Sequence, residues 1–428
     1  MLILAALTST AALVIFVWVW FRRRKLFLLP STWTLFLSLL IYVVPAVVFF
    51  DQIEELSPFA TTALTYCATF ILMGLATNAM LARPPALSTI LLDRPSTSLS
   101  DRRVLRRGLR AVIFLLALVT TWYLLKVPLR STGLYGVLFD PQNAAQLREE
   151  SLKLLDSRAL QYAYLIGFST LSPLAFTLLL SRTAELHGLQ RWKLFVPVAV
   201  FLAGYLLLTG ARVGLVNLAV AGVLYAFIRN RLRVGFKPLL GAAAVLLAVP
   251  MLLSFLREQG RNEASVLEYA EAIGERIFLL PLLISGWFVE YAQFNGPVGL
   301  LAALGVGDST DWSNVIALEF LGRKEAVTIE TVTTPTAFFF SNFLYFGWLG
   351  VLPSLLALQL IDLPVRLVGR LPGPLRLPLT ATMLFFSVIF VQSGFGVTLI
   401  SHGYLLLILL VIAWALPSPR IVRPTLAS

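Results

Sequence analysis

The chain has 428 residues, of which 58% are hydrophobic and 13% charged, and a formal net charge of +12. A soluble domain carries about 25% charged residues, so this chain lacks the polar side chains to coat a globule of its size. A soluble enzyme, a disordered chain and a disulfide scaffold are excluded, and length leaves room for roughly ten to twelve membrane spans.

Residues 2–20 are apolar and precede Arg22, Arg23, Arg24 and Lys25. A signal peptide carries its positive charges before the apolar stretch, so this segment reads as a retained span with its N-terminus outside. Further spans are expected near 31–50, 59–82, 109–127, 159–181, 194–209, 213–229, 238–256, 336–361, 377–392 and 397–416. With the first segment, eleven spans result and the C-terminus lies inside. The segments assigned to the cytoplasm then hold 23 of the 34 basic residues. Most of the +12 is therefore topology, which leaves no need for a nucleic-acid partner.

Residues 277–289 are apolar but short, and Pro281 and Gly286 interrupt them. They suit a re-entrant or interfacial element better than a span. This assignment leaves two polar loops outside, 128–158 and 257–335. The second is far longer than a connection requires, and long loops on rigid scaffolds tend to carry function. Within it Val266, Ala270, Ile273 and Ile277 fall within about 80° on a helical wheel, opposite Glu268, Glu271 and Glu275, as in an amphipathic helix on the membrane surface. No Walker-type phosphate loop occurs and the single Cys67 forms no internal disulfide or cysteine metal site. The carboxylates Asp308, Asp311, Glu319, Glu325 and Glu330 match no metal-ligand spacing, so neither metal nor cofactor is expected.

The outer arginines are the first candidates for chemistry. Arg212 lies in a tight turn, Gly210-Ala211-Arg212, between two apolar spans with no acid nearby in sequence. It calls for an anionic partner or serves as an interface anchor. Arg257 and Arg261 follow a span four residues apart, and Arg148 and Arg276 complete the set. Guanidinium offers a two-pronged fork to phosphate oxygens and keeps its charge at membrane depth. His402, in the last span, reads either as a packed hydrogen-bonding group or as a proton acceptor. Glu290 and Tyr291, after the re-entrant stretch, are candidates for a base and a sugar contact. The aromatic run from Thr334 to Val351, with Tyr345 in it, suits an interface belt or a stacking platform, with Gly347 and Gly350 permitting close helix approach.

The Gly210-Ala211-Arg212 turn, the large outer loop, and then Tyr345-Phe346-Gly347-Trp348-Leu349-Gly350 together resemble the Wzy-type oligosaccharide repeat-unit polymerases of the O-antigen polymerase and ligase superfamily. The resemblance implies an all-α, GT-C-like polytopic glycosyltransferase acting at the periplasmic face of a bacterial inner membrane. Its substrate would be an undecaprenyl-pyrophosphate-linked oligosaccharide, and a chain-length regulator would be its protein partner. It implies pyrophosphate contacts for Arg212 and for Arg257 or Arg261, and an acceptor-side role for His402. A lipid pyrophosphate leaves readily, so arginines that offset its growing charge supply much of the catalysis. His402 or Glu290 would take the acceptor hydroxyl proton, with inversion at the anomeric carbon. The O-antigen ligase is the nearest alternative, and a lipid-linked oligosaccharide flippase is the alternative of another class.

Overall fold

A computed structural model describes residues 2–48, 59–91, 99–140, 143, 147, 150–151, 154–155, 157–209, 213–233, 280–300, 312, 315–316 and 336–416. Among them every regular element is helical. The principal helices are α1 (Leu2–Arg22), α2 (Pro30–Ser38, continued through Leu39–Val43 into Val44–Val48), α3 (Ala60–Leu81) and α4 (Leu99–Lys126). There follow α5 (Gly133–Phe139), α6 (Arg158–Ala184), α7 (Gly188–Leu207), α8 (Val213–Arg229) and α9 (Leu280–Asn295). The last are α10 (Phe338–Phe346), α11 (Val351–Ile361), α12 (Gly373–Phe390), α13 (Phe395–Ile400) and α14 (Tyr404–Ala415).

Six helical stretches among the described residues are long and apolar enough to cross a membrane. They comprise α1, α3, α4, α6, α12 and the stretch from Phe338 to Arg370. The chain is an all-α protein of multi-pass membrane type. The expected span at 238–256 and the amphipathic helix at 266–277 lie outside the described residues. Helices α6 and α12 are mostly buried and form the centre, whereas α1 and α4 turn residues such as Leu7, Phe21, Phe114 and Leu125 outward. An apolar outer face of this kind suits contact with lipid rather than water.

Arg23 and Arg376 each tie helix ends together at one end of the bundle. Arg23 Nη1 donates to the carbonyl of Ala79, joining the ends of α1 and α3. Arg376 donates to the carbonyls of Thr89 and Leu371, at 2.9 Å each, binding the start of α12 to the connection after α3. At the opposite end of α3, the Phe59 ring meets Phe294 of α9 with centroids 5.5 Å apart. Helix α9 therefore runs antiparallel to α3 and ends far from Arg23.

Two stretches depart from straight spans. Within 336–361 the chain doubles back: Asn342 Nδ2 donates to Ser354 Oγ at 2.8 Å, although twelve residues of straight helix would separate them by about 18 Å. The reversal uses Gly347 at φ +59, a region that favours glycine. Gly350 lies against the Asn342 backbone, where an added Cβ would come within 2.3 Å of the carbonyl oxygen. Thus α10 and α11 form a helical hairpin. The second stretch, 397–416, is divided at Ser401–Gly403 into α13 and α14.

The apolar segment at 277–289 is described from Leu280 onward. Residues 280–295 form one uninterrupted helix, with Leu282, Ile284, Phe288 and Val289 buried. Pro281 does not break it, because it lies in the first turn where its missing N–H has no partner to lose. Beyond α9, the N–H groups of Val298 and Gly299 donate to the carbonyls of Leu344 and Tyr345, at 3.1 and 3.0 Å. The ends of α9 and α10 are thereby fastened side by side.

Candidate functional site around His402

His402 occupies the turn between α13 and α14. Ser401 N and His402 N both donate to the Val397 carbonyl, and Gly403 adopts φ +80, closing α13 with a left-handed residue. A Cβ on Gly403 would lie 2.7 Å from Thr170 Oγ1, so glycine is needed for space as well as for backbone angle. Tyr404 then donates its hydroxyl to the Ile361 carbonyl, and its ring packs on Phe386 and Phe390. These contacts put His402 beside the far end of α12, about 25 Å along that helix from its basic start.

The partner of this turn is a bulge in α6. Over Gly167–Leu171 the helix widens by one residue per turn before resuming at Ser172. Pro173 accounts for it, since an interior proline has no N–H for the carbonyl of Ser169 and its ring would clash there. The Gly167 carbonyl accepts the Ser172 N–H across the wide turn and also the Ser172 hydroxyl, at 2.8 Å. The bulge sets two consecutive side chains against the His402 turn: Ser169 Oγ lies 2.9 Å from His402 Nδ1, and Thr170 Oγ1 donates to the His402 carbonyl at 2.6 Å. Both residues are buried, while His402 is half-buried. Among the described residues, Nε2 has no hydrogen-bond partner.

The hairpin α10–α11 lies nearby, and most of its aromatic run is packed inside the protein, where it forms neither an interface belt nor a stacking platform. Phe338, Phe339, Phe340 and Phe343 are buried. They pack against Tyr42, Phe70, Tyr66 and Phe390 with centroids between 4.5 and 6.1 Å. Tyr345 and Trp348, at the hairpin tip, reach the surface. Glu290 and Tyr291 belong to α9 rather than to a loop, one to two turns from its end. Both are half-buried, and the Tyr291 ring meets Trp312 at 5.9 Å.

Arg212, Arg257, Arg261, Arg276 and Arg148 lie outside the described residues. The flank of the Arg212 turn is described: Thr209 Oγ1 is 3.2 Å from the Tyr164 hydroxyl, and the Leu208 carbonyl accepts from Leu134 N. The end of α7 is thereby held against α6, one turn of that helix above the bulge.

A second buried polar cluster has no counterpart in the sequence reading. Asp362, fully buried at the end of α11, accepts from Ser31 N at 2.9 Å and from Ser31 Oγ at 2.6 Å. Asn78 donates to Ser31 Oγ and Thr32 Oγ1, Gln359 donates to Asn78 Oδ1, and Arg366 reaches Gln359 Oε1. A carboxyl group here caps the N-terminus of α2 from another helix. Its signal in the sequence was an acid directly after a long apolar run, followed by Leu363-Pro364. Among the described residues, no three His, Cys, Asp or Glu side chains lie close enough to hold a metal ion. No protein-family model, curated protein or solved structure matches this chain.

Proposed function

We propose that this chain is a glycosyltransferase that polymerises undecaprenyl-pyrophosphate-linked oligosaccharide repeat units at the outer face of a bacterial inner membrane. The observation that carries the reading is His402: a half-buried imidazole, anchored through Nδ1, without a partner at Nε2 among the described residues, and far along α12 from Arg376 at its start. On this reading the end that holds Arg23 and Arg376 faces the cytoplasm, the N-terminus is periplasmic, and eleven spans surround a GT-C-like site. Arg212, Arg257, Arg261, Arg276 and Arg148 hold the lipid pyrophosphate, and Tyr345 and Tyr291 contact sugar. Glu290 or His402 receives the acceptor hydroxyl proton. The ligase alternative uses the same donor with a different acceptor.

A flippase would draw on buried ionisable groups along its path, and Asp362 is such a group. Its oxygens, however, are occupied by Ser31, in a network that ties three helices together. That is the arrangement of a structural clamp. The test is incubation of the purified protein with a lipid-linked repeat unit. A ladder of products formed without nucleotide, with inverted anomeric configuration and lost in Arg212→Ala, supports the polymerase. Transport into vesicles with no new glycosidic bond, or retained configuration, overturns it.

A further inference from the structure

We propose that Ser169 is a positioning residue that fixes His402 as the neutral tautomer protonated on Nε2, so that the imidazole meets the substrate as a hydrogen-bond donor and not as a base. The position of each hydrogen decides the tautomer. Ser169 is buried, and a buried hydroxyl hydrogen has to find an acceptor. Among the described residues, the only partner in reach of Ser169 Oγ is His402 Nδ1, at 2.9 Å.

The Gly167 carbonyl takes the Ser172 hydroxyl, and the His402 carbonyl takes Thr170 Oγ1. Ser169 makes no bond back to the helix, unlike Thr177 and Thr183 later in α6. If Nδ1 carried the proton, two hydrogens would point at each other's heavy atom and one would be left without an acceptor. That cost is enough to bias the tautomers by about tenfold or more. The serine therefore donates, Nδ1 accepts, and Nε2 keeps its hydrogen. Thr170 and the left-handed Gly403 prevent the ring from escaping this arrangement by moving the backbone.

An Nε2–H with no acceptor among the described residues suits a ligand rich in oxygen, which on the proposed function means the glycan or its pyrophosphate. This assignment of role rests on that function; the tautomer does not. In the transfer, the acceptor hydroxyl oxygen bonds to the anomeric carbon as the bond from that carbon to the pyrophosphate oxygen breaks. The electron pair leaves on the pyrophosphate. The hydroxyl proton goes to a carboxylate base, for which Glu290 is the candidate, and Nε2–H donates to a substrate oxygen throughout.

The test begins with nitrogen-15 NMR of histidine-labelled protein in liposomes, with His187→Gln removing the only other histidine. The expected spectrum has a protonated Nε2 and an unprotonated Nδ1 for His402, and Ser169→Ala collapses this to a mixture while Ser169→Thr preserves it. A protonated Nδ1 in the parent protein, or an unchanged pattern in Ser169→Ala, overturns the inference whether or not the protein makes polymer. The second arm uses ladder formation. Glutamine carries an amide donor where Nε2–H lies and asparagine does not, so His402→Gln is expected to keep activity within about tenfold while His402→Asn loses about a hundredfold. Equal loss in both variants restores the base role. A parent protein that forms no ladder refutes the proposed function and leaves the tautomer result standing.

Discussion

The two buried polar clusters, around Asp362 and around His402, use the same kinds of side chain to opposite ends. Around Asp362 the donors and acceptors meet within the protein: Ser31, Asn78, Gln359 and Arg366 form a chain from α2 through α3 to α11. Around His402 the bulge residues occupy one ring nitrogen and leave the other without a partner among the described residues. A closed network stabilises and specifies packing, whereas one that ends in an open donor has capacity left for a ligand. In an apolar bundle this difference separates a joint from a site, and residue type alone does not reveal it.

The contrast can be broken at either cluster. Asp362→Ala is expected to have the largest effect on stability, about 3 kcal/mol, because it strands the Ser31 N–H and hydroxyl in the interior. Thermal unfolding in detergent measures this, and an unshifted transition would mean that the cluster is not a joint. His402→Ala is expected to cost about 1 kcal/mol of stability, because it strands the Ser169 hydroxyl alone, and to lower polymer formation about a hundredfold, about 2.7 kcal/mol of barrier. A matching loss of stability would make His402 a packing residue. Gly403→Ala should cost about 2 kcal/mol, since it combines a left-handed backbone with a 2.7 Å approach to Thr170 Oγ1. It should lower activity as well, by displacing the imidazole. Arg366→Ala sharpens the other boundary: its 3.4 Å contact to Gln359 is exposed, and the change should move stability by about 0.5 kcal/mol or less.

Hydropathy made much of the scaffold legible. The ends of α1, α3, α6, α8 and α12 fall within a few residues of the apolar runs, because a helix crossing hydrocarbon has to satisfy its backbone within itself. What stayed hidden depends on contacts between distant segments. Asp362 sits at the end of an apolar run and looks like a loop residue until Ser31, 331 positions away in sequence, is beside it. Ser169 and Thr170 are two small polar residues in an apolar stretch, and only Pro173 hints that the helix opens there. Gly347 and Gly350 were readable as sites of close approach, but the approach is of the hairpin to itself. His402 was singled out by scarcity, whereas the nitrogen it leaves open depends on α6.

The hairpin has a consequence for topology mapping. Along a straight span, the reactivity of single engineered cysteines toward a water-soluble label falls as the positions move away from one surface and recovers only near the other. Along 336–361 the profile should instead rise toward Gly347, where the chain reverses, and fall again toward Ile361. Thr336 and Leu358, though far apart in sequence, should label alike. A hydropathy plot counts this stretch as one crossing, while a labelling profile would read it as a peak. The sidedness of all that follows depends on α11 alone.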